Sequence, residues 1–317
     1  MSINAAEAEL RQIPVDKIDP NPDNPRLIFR SGELDELLES IRAYGVQVPI
    51  SVYREGRRYI LIDGERRWKC SLKLNNQTIP ALVQSKPSSL DNLLLMFNIH
   101  ALREQWDLLS ISLKLPKVIN LLTKELRREP TESELAEKTG LNRGMIRRCK
   151  LLMALPQEYK DQILRELKKP KKEQKTTEDL FIEMERALTT VERAMPDIIQ
   201  NRDEVRKVLI KKFKEGVIVN RVEFRDIAKI ARAEKVGVDR DRAATELGRL
   251  FRSNDYTIER AYQNSVSEAY KERDIGTKLT SLLSSLEDIQ AEDLDDDVVR
   301  KLRKLQKRVM EILRDIP

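Results

Sequence analysis

Tyr59, Ile60, Leu61 and Ile62 have strand character and run through Asp63-Gly64 straight into Glu65-Arg66-Arg67-Trp68, the first turn of a helix. This junction calls for a helix packed on a sheet, with Trp68, Leu72 and Leu74 on the packing face. The same turn exposes backbone N–H groups. Those amides and the helix dipole favour an anion, the glycine lets a phosphate come close, and neighbouring arginines supply charge-assisted forks. An ordinary helix whose arginines pair with Glu65 and solvent fits the same residues. Successive helical residues point about 100° apart, so one arginine at most faces a single ligand easily. On the residues alone both readings stay open.

The flanking segments supply the rest of a small α+β domain. Ile13 to Ile18 alternates as a half-exposed strand, and Asp19 to Pro25, with three prolines, forbids regular structure. Leu34, Leu37, Leu38 and Ile41 recur at helical spacing over Glu33 to Ala43, and Gly45 is the expected stop. Val48 to Tyr53 and Tyr59 to Ile62 flank Glu55-Gly56-Arg57 as a hairpin. A strand over Ile79 to Val83, a connector over Pro87 to Leu90 and an apolar helix over Leu93 to Leu102 follow.

Residues 131 to 152, TESELAEKTGLNRGMIRRCKLL, carry the second strong pattern. Thr131 with Glu134 forms a capping box, Gly140 opens a tight turn, and Asn142 caps a second helix containing Ile146 and Cys149. Ala136, Gly140 and Ile146 are spaced for two closely crossing helices, as in a helix-turn-helix. A plain helical hairpin has the same skeleton, but here the second helix presents Asn142, Arg143, Arg147 and Arg148 outward, with Gly144 leaving room for a base pair or phosphate. Asn142, Arg143 and Arg147 are the expected base readers; Lys138, Arg148 and Lys150 are the expected phosphate contacts. Residues 127 to 175 hold 14 Lys and Arg against 8 Asp and Glu, an excess equal to the +6 formal charge of the whole chain. Such a segment attracts a phosphate backbone by counterion release.

Composition limits the alternatives. At 317 residues the chain holds two or three domains, and 35% charged with 5% aromatic residues points to solvated helical parts around modest cores. Two cysteines, Cys70 and Cys149, and a single histidine, His100, suit neither a disulfide framework nor a zinc cluster. The cysteines read as small buried hydrophobes and His100 as a packing residue. No apolar run spans a bilayer and Met1 to Leu10 lacks the regions of a signal peptide, so no membrane partner and a cytoplasmic location are expected.

Lys168 to Lys175 is a charged, proline-broken segment that suits a solvated hinge or a DNA-backbone contact. Helical periodicity recurs over 177–194, 203–214, 223–234 and 239–251 without an interpretable motif. Val298, Leu302, Leu305, Val309 and Ile312 step by four and three as in a coiled-coil seam, and Leu279 to Ile289 is similar before an acidic break at Glu292 to Asp297. A helical hairpin, a lone packed helix and a dimer all fit.

The order Ile13-Pro14, Asn24-Pro25-Arg26, Leu37 to Ile41 with Gly45, Pro49-Ile50-Ser51-Val52 and Gly64-Glu65-Arg66-Arg67-Trp68 resembles the ParB family of partition proteins over roughly residues 10 to 165. The resemblance implies an α+β fold: a small mixed-sheet ParB/sulfiredoxin-like amino-terminal domain, then an all-α helix-turn-helix domain and helical carboxy-terminal regions. The expected division is a flexible 1–10, a nucleotide-binding domain 11–103, the helix-turn-helix domain 104–168, a basic linker 169–176, a helical domain 177–275 and a helical tail 276–317 used for dimerisation. Family members bind and hydrolyse CTP as a DNA clamp and read a palindromic site. By that likeness Gly45, Gly64, Glu65, Arg66, Arg67, Asn98 and Arg103 would meet CTP, with Mg2+ through Asn98, and duplex DNA, a homodimer and a partner ATPase would be the partners. The sulfiredoxin cysteine has Glu65 in its place here, which argues against that chemistry. Active relatives show Glu-Asn-x-x-Arg, whereas this chain has Phe97-Asn98 and puts Arg103 two residues farther along, which leaves CTP hydrolysis open. The competing readings are a transcription or replication regulator with a vestigial nucleotide turn, and a small-molecule kinase or nuclease on the same fold.

Overall fold

A computed structural model describes residues 9–24, 31–101, 107–287, 289–290 and 294–314, with the side chains of 31–33 and 99–101 outside the description. The chain forms two compact units, Met1–Thr189 and Thr190–Pro317.

The first unit begins with a five-stranded mixed sheet. Its strands are β1 (Glu9–Pro14), β2 (Ile18–Asp19), β3 (Ile50–Glu55), β4 (Arg58–Asp63) and β5 (Thr78–Gln84), in the order β1-β5-β3-β4-β2. β1 pairs antiparallel with β5, β5 parallel with β3, β3 antiparallel with β4, and β4 parallel with β2. The single strand expected over Ile13 to Ile18 is broken. Pro14, which lacks an N–H, ends the β1 ladder, and a 3-10 turn over Val15–Lys17 rotates the chain so that Ile13, Val15 and Ile18 all enter the core. The β3–β4 hairpin turns at Gly56, whose φ is +61°.

Both faces of the sheet are covered, which is why Tyr59 to Ile62 reads as a continuous apolar run. One face gathers Ile13, Val15, Ile18, Ile50, Val52, Leu61, Ile79 and Ala81, with Trp68 of α2 (Glu65–Lys73) packed on it. The other gathers Tyr53, Ile60 and Ile62 under Leu95 of α3 (Ser89–Ala101). The inward side of α2 consists of Trp68, Cys70 and Ser71; Leu72, expected among them, is 42% exposed because it points off that side. α1 (Ser31–Tyr44) ends at Gly45, whose φ is +71° and whose amide donates to the Ile41 carbonyl at 2.9 Å.

Next come α4 (Leu108–Leu126), α5 (Glu132–Thr139), α6 (Arg143–Met153) and α7 (Gln157–Leu167). Leu135 of α5 and Ile146, Cys149 and Leu152 of α6 are buried, Cys149 against the Leu108 carbonyl of α4, and Gly140 turns between α5 and α6 at φ +71°. The basic segment after α7 is pinned: Glu166 accepts from the Lys175 amide at 2.8 Å and pairs with Lys169, and Gln174 donates to the Lys169 carbonyl at 2.9 Å. The units divide within α8 (Glu178–Ala194).

The second unit comprises α9 (Arg202–Lys214), α10 (Phe224–Ile230), α11 (Arg240–Arg252), α12 (Ile258–Ser265), α13 (Ser267–Glu287) and α14 (Asp296–Arg314). Leu209, Phe224, Ile227, Leu247, Leu250 and Ile258 form its interior. Lys212, fully buried, donates to the carbonyls of Leu250 and Tyr256, each at 2.6 Å, and so closes the carboxyl end of α11. No residue of α14 is buried, and Val298, Leu305 and Ile312 of the predicted seam stay exposed.

Candidate nucleic-acid interface and nucleotide turn

Local chemistry fixes the α5–α6 pair. The Thr131 hydroxyl accepts from the Glu134 amide at 3.2 Å while the Glu134 carboxylate accepts from the Thr131 amide at 2.8 Å, completing the capping box. Arg128 grips the same carboxylate at 2.5 and 2.9 Å, and together these donors hold Glu134 down to about 2. Asn142 caps α6 by accepting from the Met145 amide at 2.8 Å. Its carboxamide oxygen is thereby used in the fold, and the expected base reader presents its amide nitrogen instead.

α6 has no acidic residue and carries Arg143, Arg147, Arg148 and Lys150. Arg143, at its first position, is exposed and makes no hydrogen bond or ion pair among the described residues. Gly144 is exposed too, and a Cβ there would stand 3.1 Å from the Asn142 carboxamide oxygen. Arg147, 59% exposed, donates through Nε to Glu132 at 2.8 Å, and Lys150 lies 3.8 Å from the other oxygen of that carboxylate. Arg148, expected on phosphate, instead turns toward α8 and pairs with Asp179 at 2.5 Å. Lys138 is exposed at the end of α5. Asn142, Arg143, Gly144 and Arg147 are thus exposed together on α6 and its cap, whereas Arg148 is engaged by Asp179. Glu132 was missed in the sequence; an acid at the first position of the helix facing α6 is the signal that marks it.

The turn at Gly64 is tightly determined. Gly64 has φ +94°, and a Cβ there would meet Ile50 Cγ2 at 2.6 Å and Arg67 Nη2 at 2.9 Å, so glycine is required. Arg67 donates to the carbonyls of Val48 at 2.7 Å and Pro49 at 3.0 Å and to Asp63 at 3.0 Å, tying α2 to the entry of β3. Glu65 accepts from Asn24 at 2.5 Å and pairs with Lys69 at 2.7 Å. Arg66 is half-buried on the same turn.

The proline-rich loop beside Glu65 is locked into its surroundings. Buried Asn21 and Asn92 exchange side-chain hydrogen bonds at 3.0 and 3.4 Å, Lys114 of α4 donates to the Pro22 carbonyl at 2.8 Å, and Lys117 pairs with Asp23 at 2.5 Å. Asn98 donates to the Leu94 carbonyl at 2.9 Å and to the Lys138 carbonyl at 3.1 Å, joining α3 to the end of α5. Arg103 lies outside the described residues, as does the side chain of His100.

Residues 2–97 match the family model described as the ParB N-terminal domain. The amino-terminal domain is that of the ParB family. The chain is similar to the nucleoid occlusion protein of Geobacillus kaustophilus, 32% identical over 158 residues that make up 49% of this chain and 53% of that protein. It spans about half the length of the curated relatives it matches. Among solved structures it is similar to a carboxy-terminally truncated chromosome-partitioning ParB of Caulobacter crescentus. In complex with CTP-gamma-S that protein shows 28% identity and a TM-score of 0.29, covering 50% of this chain and 85% of that one. In complex with the centromeric parS site it shows 20% identity and a TM-score of 0.42, covering 70% and 98%.

Phe97, the last residue of the ParB domain match, is fully buried. The position at which the family resemblance calls for an acid therefore belongs to the interior. Among the described residues no group of three or more His, Cys, Asp and Glu is placed to hold a metal ion, and no helix is long and apolar enough to cross a membrane.

Proposed function

We propose that this chain binds duplex DNA sequence-specifically through α6, as a partition or nucleoid-occlusion protein whose ParB domain takes CTP as a clamp. The observation that carries the reading is the exposed row of Asn142, Arg143, Gly144 and Arg147 on the second of two capped helices, with no acid on that helix. Arg143 and Arg147 are long enough to reach base edges in a major groove, and Lys138 and Lys150 are suited to phosphate. Gly45, Gly64, Arg66 and Asn98 are the residues proposed for nucleotide, and Mg2+ would enter on the phosphates. A palindromic site fits a two-fold dimer, and the exposed apolar residues of α13 and α14, Leu279, Leu283, Val298, Leu305 and Ile312, supply a face for a second copy. A partner ATPase belongs to the same proposal.

A second reading is favoured by one set of contacts. Glu65 and Arg67 are bonded within the fold and Phe97 fills the core, which supports a DNA-binding regulator whose nucleotide turn no longer hydrolyses. Two measurements separate the readings. Arg143→Ala or Arg147→Ala should cost about 1–3 kcal/mol at the cognate site selected from a random duplex pool and relax its specificity; equal losses on all sequences would reduce these residues to phosphate contacts. Equilibrium binding of CTP against ATP and GTP should show selective CTP binding that is lost in Arg66→Ala. Absence of binding leaves the regulator, and preference for ATP revives an enzyme on this fold.

A further inference from the structure

Arg147 of α6 is hydrogen-bonded to an acid of the facing helix, and Lys150 lies 3.8 Å from the same carboxylate. Glu132, the first residue of α5, receives the Arg147 Nε–H at 2.8 Å. It is fixed there by the capping box one residue before it. A guanidinium bonded through Nε keeps its two terminal nitrogens as a parallel fork, and neither has a protein partner among the described residues. That fork matches the O6 and N7 acceptors of guanine in the major groove. Without an anchor a long arginine chain has many rotamers to lose on binding. A carboxylate beside DNA also repels phosphate, so Glu132 opposes non-specific attraction while favouring one geometry of Arg147.

We infer that Glu132 is a positioning residue that aims Arg147 at a guanine and restrains sequence-independent binding. This rests on the proposal that α6 reads DNA. The two contributions predict opposite signs, which a merely structural role does not produce: loss of folding lowers specific and non-specific affinity together.

The test uses the full chain and a site selected from a random duplex pool, with wild type, E132Q, E132A, R147A and the E132A/R147A double variant compared on that site, on single-base changes of it and on unrelated duplex at two salt concentrations. R147A should lose its preference at one base pair by about 10-fold. E132A should lose most of the same preference while binding unrelated duplex about 2- to 3-fold more tightly, an advantage that shrinks at high salt. E132Q, which keeps an acceptor oxygen but no charge, should share the gain on unrelated duplex and keep more of the preference. The double variant should lose no more specificity than R147A alone. If R147A relaxes specificity and E132A does not, the positioning role falls and DNA reading by α6 stands. If E132A weakens all sequences equally, its role is only structural. If R147A itself leaves specificity unchanged, both this inference and the base-reading role of Arg147 are overturned.

Discussion

Gly64→Ala puts the turn between β4 and α2 to a quantitative test. Two costs act at this position. A left-handed backbone costs an L-residue about 1–2 kcal/mol, and a methyl placed 2.6 Å from Ile50 Cγ2 and 3.0 Å from Ile50 Cβ overpacks a fully buried side chain, typically about 1–3 kcal/mol. Reduced freedom of the unfolded chain returns about 0.4–1 kcal/mol. The net loss is roughly 2–4 kcal/mol, a large share of the roughly 5–15 kcal/mol that holds a typical domain together. Gly45→Ala is the control: its φ is +71° but nothing lies within 4 Å of the added carbon, so it carries the backbone cost alone. The assay is urea unfolding followed by Trp68 fluorescence in a Trp106→Phe background, since Trp68 packs on the sheet and donates to the Val15 carbonyl at 3.1 Å. Gly64→Ala should lower the midpoint by about 1–2 M, well beyond Gly45→Ala. Equal shifts for the two variants would refute the argument, because they would show that Ile50 gives way without cost.

Two predictions concern pH. Burial pushes the Lys212 amine down to about 8 from its ordinary 10.5; the folded state therefore binds fewer protons than the unfolded state between those values, and stability from this group rises with pH across that window. Wild type should gain on Lys212→Met in melting temperature between pH 8 and 10.5, and parallel curves would show that the amine is not desolvated. Glu134 is held down to about 2, so its contribution is complete above its ordinary 4.5 and fades as pH falls toward 2. The stability difference between wild type and Glu134→Gln should shrink over that range, and a difference that stays constant to pH 2 would contradict the Arg128 and Thr131 contacts.

Local chemistry was legible in the sequence where neighbours decide it. The Thr131–Glu134 box, the Asn142 cap, the Gly45 stop and the Gly56 hairpin are each set within a few residues, and each is found where its pattern indicates. The small mixed sheet was expected from the family resemblance, not from local chemistry. Ser88, whose hydroxyl accepts from the Asp91 amide at 3.1 Å, starts α3 four residues ahead of its first expected position. α4, which carries Pro116 in its interior and belongs to no motif, was not read from the sequence. The site was less legible, because long-range partners decide which cations remain available. Nothing near Arg148 in sequence announces Asp179, and nothing near Glu65 announces Asn24. Arg67 likewise spends its donors on carbonyls 18 and 19 residues earlier.

The loop at residues 21–24 also bears on the order in which the first unit assembles. Its partners stand 41, 71, 92 and 94 residues further along, at Glu65, Asn92, Lys114 and Lys117. Closing contacts of that span costs chain entropy that only an already folded framework can offset. The loop is therefore a late event in folding: the sheet and α4 must exist before it has anything to grip. In a kinetic series, Asp23→Ala should speed unfolding and leave the folding rate nearly unchanged, the signature of a contact made after the barrier has been crossed.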